Sequence, residues 1–234
     1  MPDELSEALE HHRRGRLDEA ARGYDAALAV DPDRAEALHL RGLVALQQGD
    51  HARAHALVGR AVALQPTKAA YHASLAEVYW ALGKLDRAVA SGLAAHGLEP
   101  ENPEVLCNLA STRLALGEVD AAVVHLRDAV RLAPDLAIAH NNLGNALRIQ
   151  GDPVAAIAEF RRAVVLDPAL AEAQSNLGRM LLDGGEPRQA LVHCEEAVRL
   201  RPGNPAACHN LAAVLEVLGR PDQARTWLVE AIRL

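Results

Sequence analysis

Glycine and proline return along this chain at a fixed interval of 34 residues, which confines the fold to a stack of like units. Prolines stand at Pro32, Pro66, Pro100, Pro134, Pro168 and Pro202, and glycines at Gly15, Gly49, Gly83, Gly117, Gly151, Gly185 and Gly219. Glycine makes up about 7% of an average sequence, so seven in register would arise by chance roughly once in a hundred million chains. Alanines keep the same beat at Ala20, Ala54, Ala88, Ala122, Ala156, Ala190 and Ala224, and again seven residues later from Ala27 to Ala231. Glycine at repeat position 15 suits the left-handed turn that ends a first helix, and proline at position 32 cannot continue a second. Small residues at 20 and 27, two helical turns apart, let the paired helices approach closely. Each unit therefore reads as helix, tight turn, helix.

Composition agrees. Half of the 234 residues are apolar, alanine and leucine dominate, and Phe160 is the one phenylalanine, so strands have little to be built from. Pro153, Pro187 and Pro221 sit at position 17, where a fixed φ suits the first turn of the second helix. Asp18, Asp86, Asp120 and Asp222 place negative charge at the same helix start.

The length of 34, glycine at position 8 (Gly42, Gly144, Gly178), glycine at 15, alanine at 20 and 27 and proline at 32 together resemble the tetratricopeptide repeat family across the whole chain. The resemblance implies an all-α fold, a right-handed α-α superhelix or solenoid of seven repeats. Their bounds are 1–34, 35–68, 69–102, 103–136, 137–170, 171–204 and 205–234. The family's large residue at position 4 is poorly kept: Glu4, Leu38, His72, Leu106, His140, Gln174 and Cys208 stand there. The first repeat carries Glu7 where Leu75, Leu109, Leu143, Leu177 and Leu211 stand in later ones, and a polar run His11-His12-Arg13-Arg14, which suits a water-facing cap. At the other end Ile232 and Leu234 take the places that Val198 and Leu200 hold for packing onto a next repeat. Either the natural protein continues, the favoured expectation, or this face pairs with another molecule.

In the first helix of each unit, positions 2, 6, 9 and 13 form one stripe. It is expected to line the concave wall of the stack. Position 6 reads Ser6, Leu40, Ser74, Asn108, Asn142, Asn176 and Asn210, so four asparagines stand in register. A carboxamide offers both donor and acceptor to a peptide backbone. Helices about 9–10 Å apart match three residues of extended chain at about 10 Å, so each rung could meet every third residue of a guest. The alternatives are common descent of the repeats, or asparagines that tie one repeat to its neighbour. The candidate peptide-binding set is Asn108, Asn142, Asn145, Asn176, Arg179 and Asn210, with Glu77, Glu104, Glu172, Arg148 and Trp80 as neighbours.

The expected partner is a protein or extended peptide. The runs Asn141-Asn142-Leu143-Gly144-Asn145-Ala146-Leu147 and Ser175-Asn176-Leu177-Gly178 resemble the superhelix that precedes the catalytic domain of O-linked N-acetylglucosamine transferases and their bacterial relatives. That resemblance implies, as an alternative to a plain scaffold, the substrate-recognition arm of a larger glycosyltransferase. A second alternative is a self-assembling structural protein, a homo-oligomer through its C-terminal repeat, where Trp227 stands at position 23. Chaperone-binding members of the family clamp a terminal carboxylate with lysines at positions 2 and 5. Here position 2 holds Glu36, Glu104 and Glu172, and position 5 is never lysine, which argues against that partner class.

Other chemistry is not expected. A net charge of −7, spread along the sequence, disfavours nucleic acid. No apolar run reaches the roughly 18 residues of a membrane span, and Met1-Pro2-Asp3-Glu4 does not open a signal peptide, so a cytoplasmic location is expected. Cations are arginines apart from Lys68 and Lys84, a bias that suits a GC-rich bacterial genome. Cys107, Cys194 and Cys208 lack metal-site spacing and are expected to be reduced thiols. His51 and His55 stand at i, i+4 without the intervening glutamate or a third ligand of a metal site. No metal, no cofactor and no nucleophile with its base is expected, and the chain itself is read as not an enzyme.

Overall fold

The computed structural model describes residues 4–233, and these form fourteen helices and no strand. They pack as two compact units that divide between Gly117 and Glu118. The first holds α1 (Glu4–Arg13), α2 (Leu17–Val30), α3 (Ala35–Gln47), α4 (His51–Leu64), α5 (Ala69–Ala81), α6 (Leu85–Leu98) and α7 (Pro103–Ala115). The second holds α8 (Val119–Leu132), α9 (Ala137–Gln150), α10 (Pro153–Leu166), α11 (Ala171–Asp183), α12 (Pro187–Leu200), α13 (Pro205–Val217) and α14 (Pro221–Arg233). In the first unit α1/α2, α3/α4 and α5/α6 are antiparallel hairpins, and α6 leans on α7. In the second α8 leans on α9, and α9/α10, α11/α12 and α13/α14 are hairpins. Consecutive hairpins also touch through their first helices, α3 on α5 and α9 on α11 among them. The chain is thus an all-α solenoid of helix-turn-helix repeats, as the 34-residue beat predicts.

The turn inside each repeat follows from its glycine. All seven position-15 glycines have φ between 69° and 93°, a region that costs an L-residue about 1–2 kcal/mol. The N–H after the glycine reaches back to the carbonyl five residues earlier. Arg16 to His11 at 2.9 Å and Lys84 to Tyr79 at 2.8 Å are examples, and they close the helix end as a Schellman turn. After the second helix the position-34 N–H bonds the position-31 carbonyl, as from Asn102 to Glu99 at 3.3 Å, with proline preset at the second place of that turn. Asn102 and Asn204 then cap the first helix of the next repeat with side-chain oxygens, as Asp50 and Asp152 cap the second helix of their own.

Alanine sets the spacing between the helices of a hairpin. Every position-20 alanine is 4% exposed or less. Position 8 meets position 24 face to face. A Cβ on Gly42 would lie 2.5 Å from Val58 Cγ2, on Gly144 2.8 Å from the Phe160 ring, and on Gly178 2.5 Å from Cys194 Sγ. Glycine therefore stands at 8 where 24 is filled by a side chain packed this close.

The polar residues at position 4 have a shared task that the sequence did not disclose. His72 Nε2 bonds the Pro66 carbonyl at 2.8 Å, His140 Nε2 bonds Pro134 at 3.1 Å and the Gln174 amide donates to Pro168 at 3.0 Å, while Cys208 Sγ lies 3.9 Å from the Pro202 carbonyl. Each ties the repeat to the loop that leads into it. His140 Nδ1 also meets Glu159 Oε2 at 2.6 Å, and His193 Nδ1 meets Gln174 Oε1 at 2.8 Å, so positions 4 and 23 of one hairpin are joined.

In the first repeat Glu7, Arg13 and Arg14 are exposed, whereas His12 meets Gln47 of α3 at 3.1 Å. In the last, Ile232 is 85% exposed, and half-buried Trp227 borders a shallow cleft with Val198, Leu211 and Leu215. Leu234 and the opening residues 1–3 lie outside the described residues.

Candidate functional site

The four position-6 asparagines fall on first helices of their repeats, Asn108 on α7 in the first unit and Asn142, Asn176 and Asn210 on α9, α11 and α13 in the second. Asn108 is exposed and the other three are half-buried. Stacking supplies three of them with a partner in the repeat before. Asn176 Nδ2 donates to Asn141 Oδ1 at 3.0 Å, and Asn210 Nδ2 donates to Ser175 Oγ at 3.0 Å. In both cases position 6 of one repeat bonds position 5 of the repeat before it, 35 residues away. His39 Nε2 and Ser74 Oγ, 2.8 Å apart, repeat the link in the first unit. Asn108 finds Ala73 at that place and donates instead to Glu77 Oε1 at 3.2 Å. Asn142 Oδ1 lies 3.5 Å from its neighbour Asn141 Nδ2.

The reading in which asparagine ties repeats together is therefore realised in geometry. It engages only part of each carboxamide. The amide of Asn176 donates once, so its other hydrogen and its Oδ1 take no partner among the described residues, whereas Asn210 Nδ2 reaches both Oγ and, at 3.5 Å, the backbone carbonyl of Ser175, and only its Oδ1 takes none. The bond to the preceding repeat fixes the rotamer of the rung and so fixes where its remaining groups point.

The other candidates are partly engaged as well. Asn145 Oδ1 accepts from Arg148 at 2.9 Å, one turn along α9, and exposed Arg179 pairs with Asp183 at 3.0 Å. Glu36, Glu104 and Glu172 are exposed, and the Trp80 indole is 54% exposed. Asn141 and Ser175, both buried, were not among the sequence candidates, yet they hold the rungs. Their signal in the sequence is the polar residue one place before an asparagine, legible once the 35-residue stacking offset is known.

Burial decides the rest of the chemistry. Cys107, Cys194 and Cys208 are buried free thiols, and burial pushes the first two up to about 11 and about 12, so they stay protonated at neutral pH. His39, packed on the Tyr71 ring at 4.6 Å, is pushed down to about 4 by burial and is neutral at pH 7. His55 Nε2 turns to the Tyr79 hydroxyl at 3.3 Å. Among the described residues no three of His, Cys, Asp and Glu gather as a metal site would need, and no helix is long and apolar enough to cross a membrane.

Hairpins of 34 residues closed by a left-handed glycine, stacked through small residues and bonded from position 6 to position 5, define a helical-repeat protein. Tetratricopeptide repeat models match residues 39–103 and 107–171, with further repeat matches at 8–49 and 181–233. The chain belongs to the tetratricopeptide repeat family. None of the curated proteins matches it. Among solved structures it is similar to MamA, at 26% identity over 68% of this chain and 93% of that one, with a TM-score of 0.58. It is also similar to PilF of Pseudomonas aeruginosa, at 21% identity, covering 90% and 93%, TM-score 0.76. YrrB, a tetratricopeptide repeat protein with an unusual peptide-binding site, matches at 22% identity, covering 81% and 98%, TM-score 0.59. The last two likenesses are of fold.

Proposed function

We propose that the chain is a protein-interaction scaffold whose asparagine rungs hold an extended polypeptide by its backbone. The observation that carries this reading is the part-used state of Asn176 and Asn210, whose amides are pinned by the preceding repeat while Oδ1 of each, and one hydrogen of Asn176, remain. Pinning lowers the entropy lost when a guest binds. Each new hydrogen bond nets about 0.5–1.5 kcal/mol, whereas ordering a guest residue costs about 1–2 kcal/mol, so the rungs alone give weak binding. Asn145, Arg179 and their acidic neighbours supply the remaining selectivity. YrrB, alike in fold, is described as binding peptide, which accords with this use of a repeat stack. A net charge of −7 directs the scaffold toward proteins in preference to nucleic acids.

The test is capture of extended peptides by the intact chain and by a variant with Asn108, Asn142, Asn176 and Asn210 changed to alanine. Capture falls by an order of magnitude or more if each rung contributes about 0.5 kcal/mol. Ser175→Ala removes a pin without removing a rung and serves as the control for stacking. Capture unchanged in the four-alanine variant removes the rungs from the reading. The Asn141–Leu147 and Ser175–Gly178 runs favour a second assignment, the same cradle serving as the substrate arm of a glycosyltransferase. A downstream reading frame that encodes a sugar-nucleotide domain supports it, and an immediate stop rejects it.

A further inference from the structure

Position 24 is filled in six repeats by Tyr24, Val58, Leu126, Phe160, Cys194 and Leu228, and in the third by Gly92. The missing side chain leaves a cleft of about 220 Å³ between α5, α6 and α7, all within the first unit. Ala76, Ala88 and Leu109 form its apolar wall, and Glu77, Trp80 and Asn108 its polar rim. Cofactor and drug-sized sites run to about 300–1,000 Å³, so this cleft suits a single side chain. The rim states which kind. Glu77 accepts one bond from Asn108, and among the described residues no arginine, lysine or histidine pairs with it. Glu77 is exposed at the mouth of the cleft, and the protein packed around it raises its pKa by desolvation. Beside it stands the exposed indole of Trp80, the aromatic face on which cations bind best.

We propose that this cleft receives one arginine or lysine side chain of the bound polypeptide, its aliphatic stem on the alanine and leucine wall and its cationic head between the Glu77 carboxylate and the Trp80 ring. The proposal rests on the cradle reading and adds a side-chain preference to it. The rung that grips the backbone, Asn108, is the same group that orients the carboxylate, so the guest's backbone and side chain would be read at one place.

The experiment presents a degenerate library of 12-residue synthetic peptides to the immobilised chain and determines the composition of the captured pool. Arginine and lysine are expected to be enriched about fivefold over the input, which corresponds to about 1 kcal/mol. In Glu77→Gln, and separately in Trp80→Leu, whose parent side chain is too exposed to be needed for folding, the enrichment is lost while a pool is still captured. A captured pool without cationic enrichment, or enrichment unaltered in both variants, overturns the cleft and leaves the cradle standing. No captured pool from the unaltered chain overturns both. Gly92→Ala narrows the cleft, its new Cβ 3.1 Å from Leu109 Cδ1, and is expected to lower the enrichment. A Gly92→Ala protein that is more stable and keeps full enrichment marks the cleft as a packing gap and overturns the proposal.

Discussion

At the scale of single residues the fold depends on contacts too close to admit one more carbon. Gly144 and Phe160 are the clearest pair, since a Cβ would stand 2.8 Å from a ring that has no exposed surface to move into. Gly144→Ala is therefore expected to destabilise the second unit by about 1–3 kcal/mol despite alanine's better helix propensity. Urea unfolding measures the cost, and Gly144→Ala with Phe160→Val should recover part of it. A Gly144→Ala midpoint equal to that of the parent would show that the helices can spread freely. The glycines of position 15 were legible from their spacing, because left-handed backbone has few other occupants. The position-4 residues were not. His72, His140 and Gln174 look like lost packing residues until the carbonyl six places earlier is seen to face them.

At the scale of helices, starts differ in how they are finished. Asn102 and Asn204 accept from two backbone N–H groups each, with proline following, whereas Lys84 makes no side-chain cap. Asn102→Ala and Asn204→Ala should each cost about 1 kcal/mol, and Lys84→Ala should stay within about 0.5 kcal/mol of the parent. Denaturation midpoints of the three variants check this, and equal midpoints would deny the caps their role. Helix order and turn position could both be read from periodicity, since 3.6-residue geometry converts spacing into direction. The bonds from Asn176 to Asn141 and from Asn210 to Ser175 could not, for they depend on how far one hairpin is offset along the next. Gly92 is legible from the same periodicity, since it alone interrupts the side chains at position 24 and it lines the cleft.

At the scale of the molecule, helix contacts within each unit join hairpins that follow one another in the chain. Stability in such an array is a sum of local terms, so damage should stay local. Amide hydrogen exchange in Gly144→Ala is expected to quicken in α9, α10 and α11 while α3 and α4 keep their protection. Uniform quickening along the chain would mean one cooperative whole. The same neighbour-only bonding gives the chain a mechanical character. Pulled by its two ends it should yield like a row of press-studs, one hairpin at a time, each release freeing about 11 nm of slack if 34 residues extend fully.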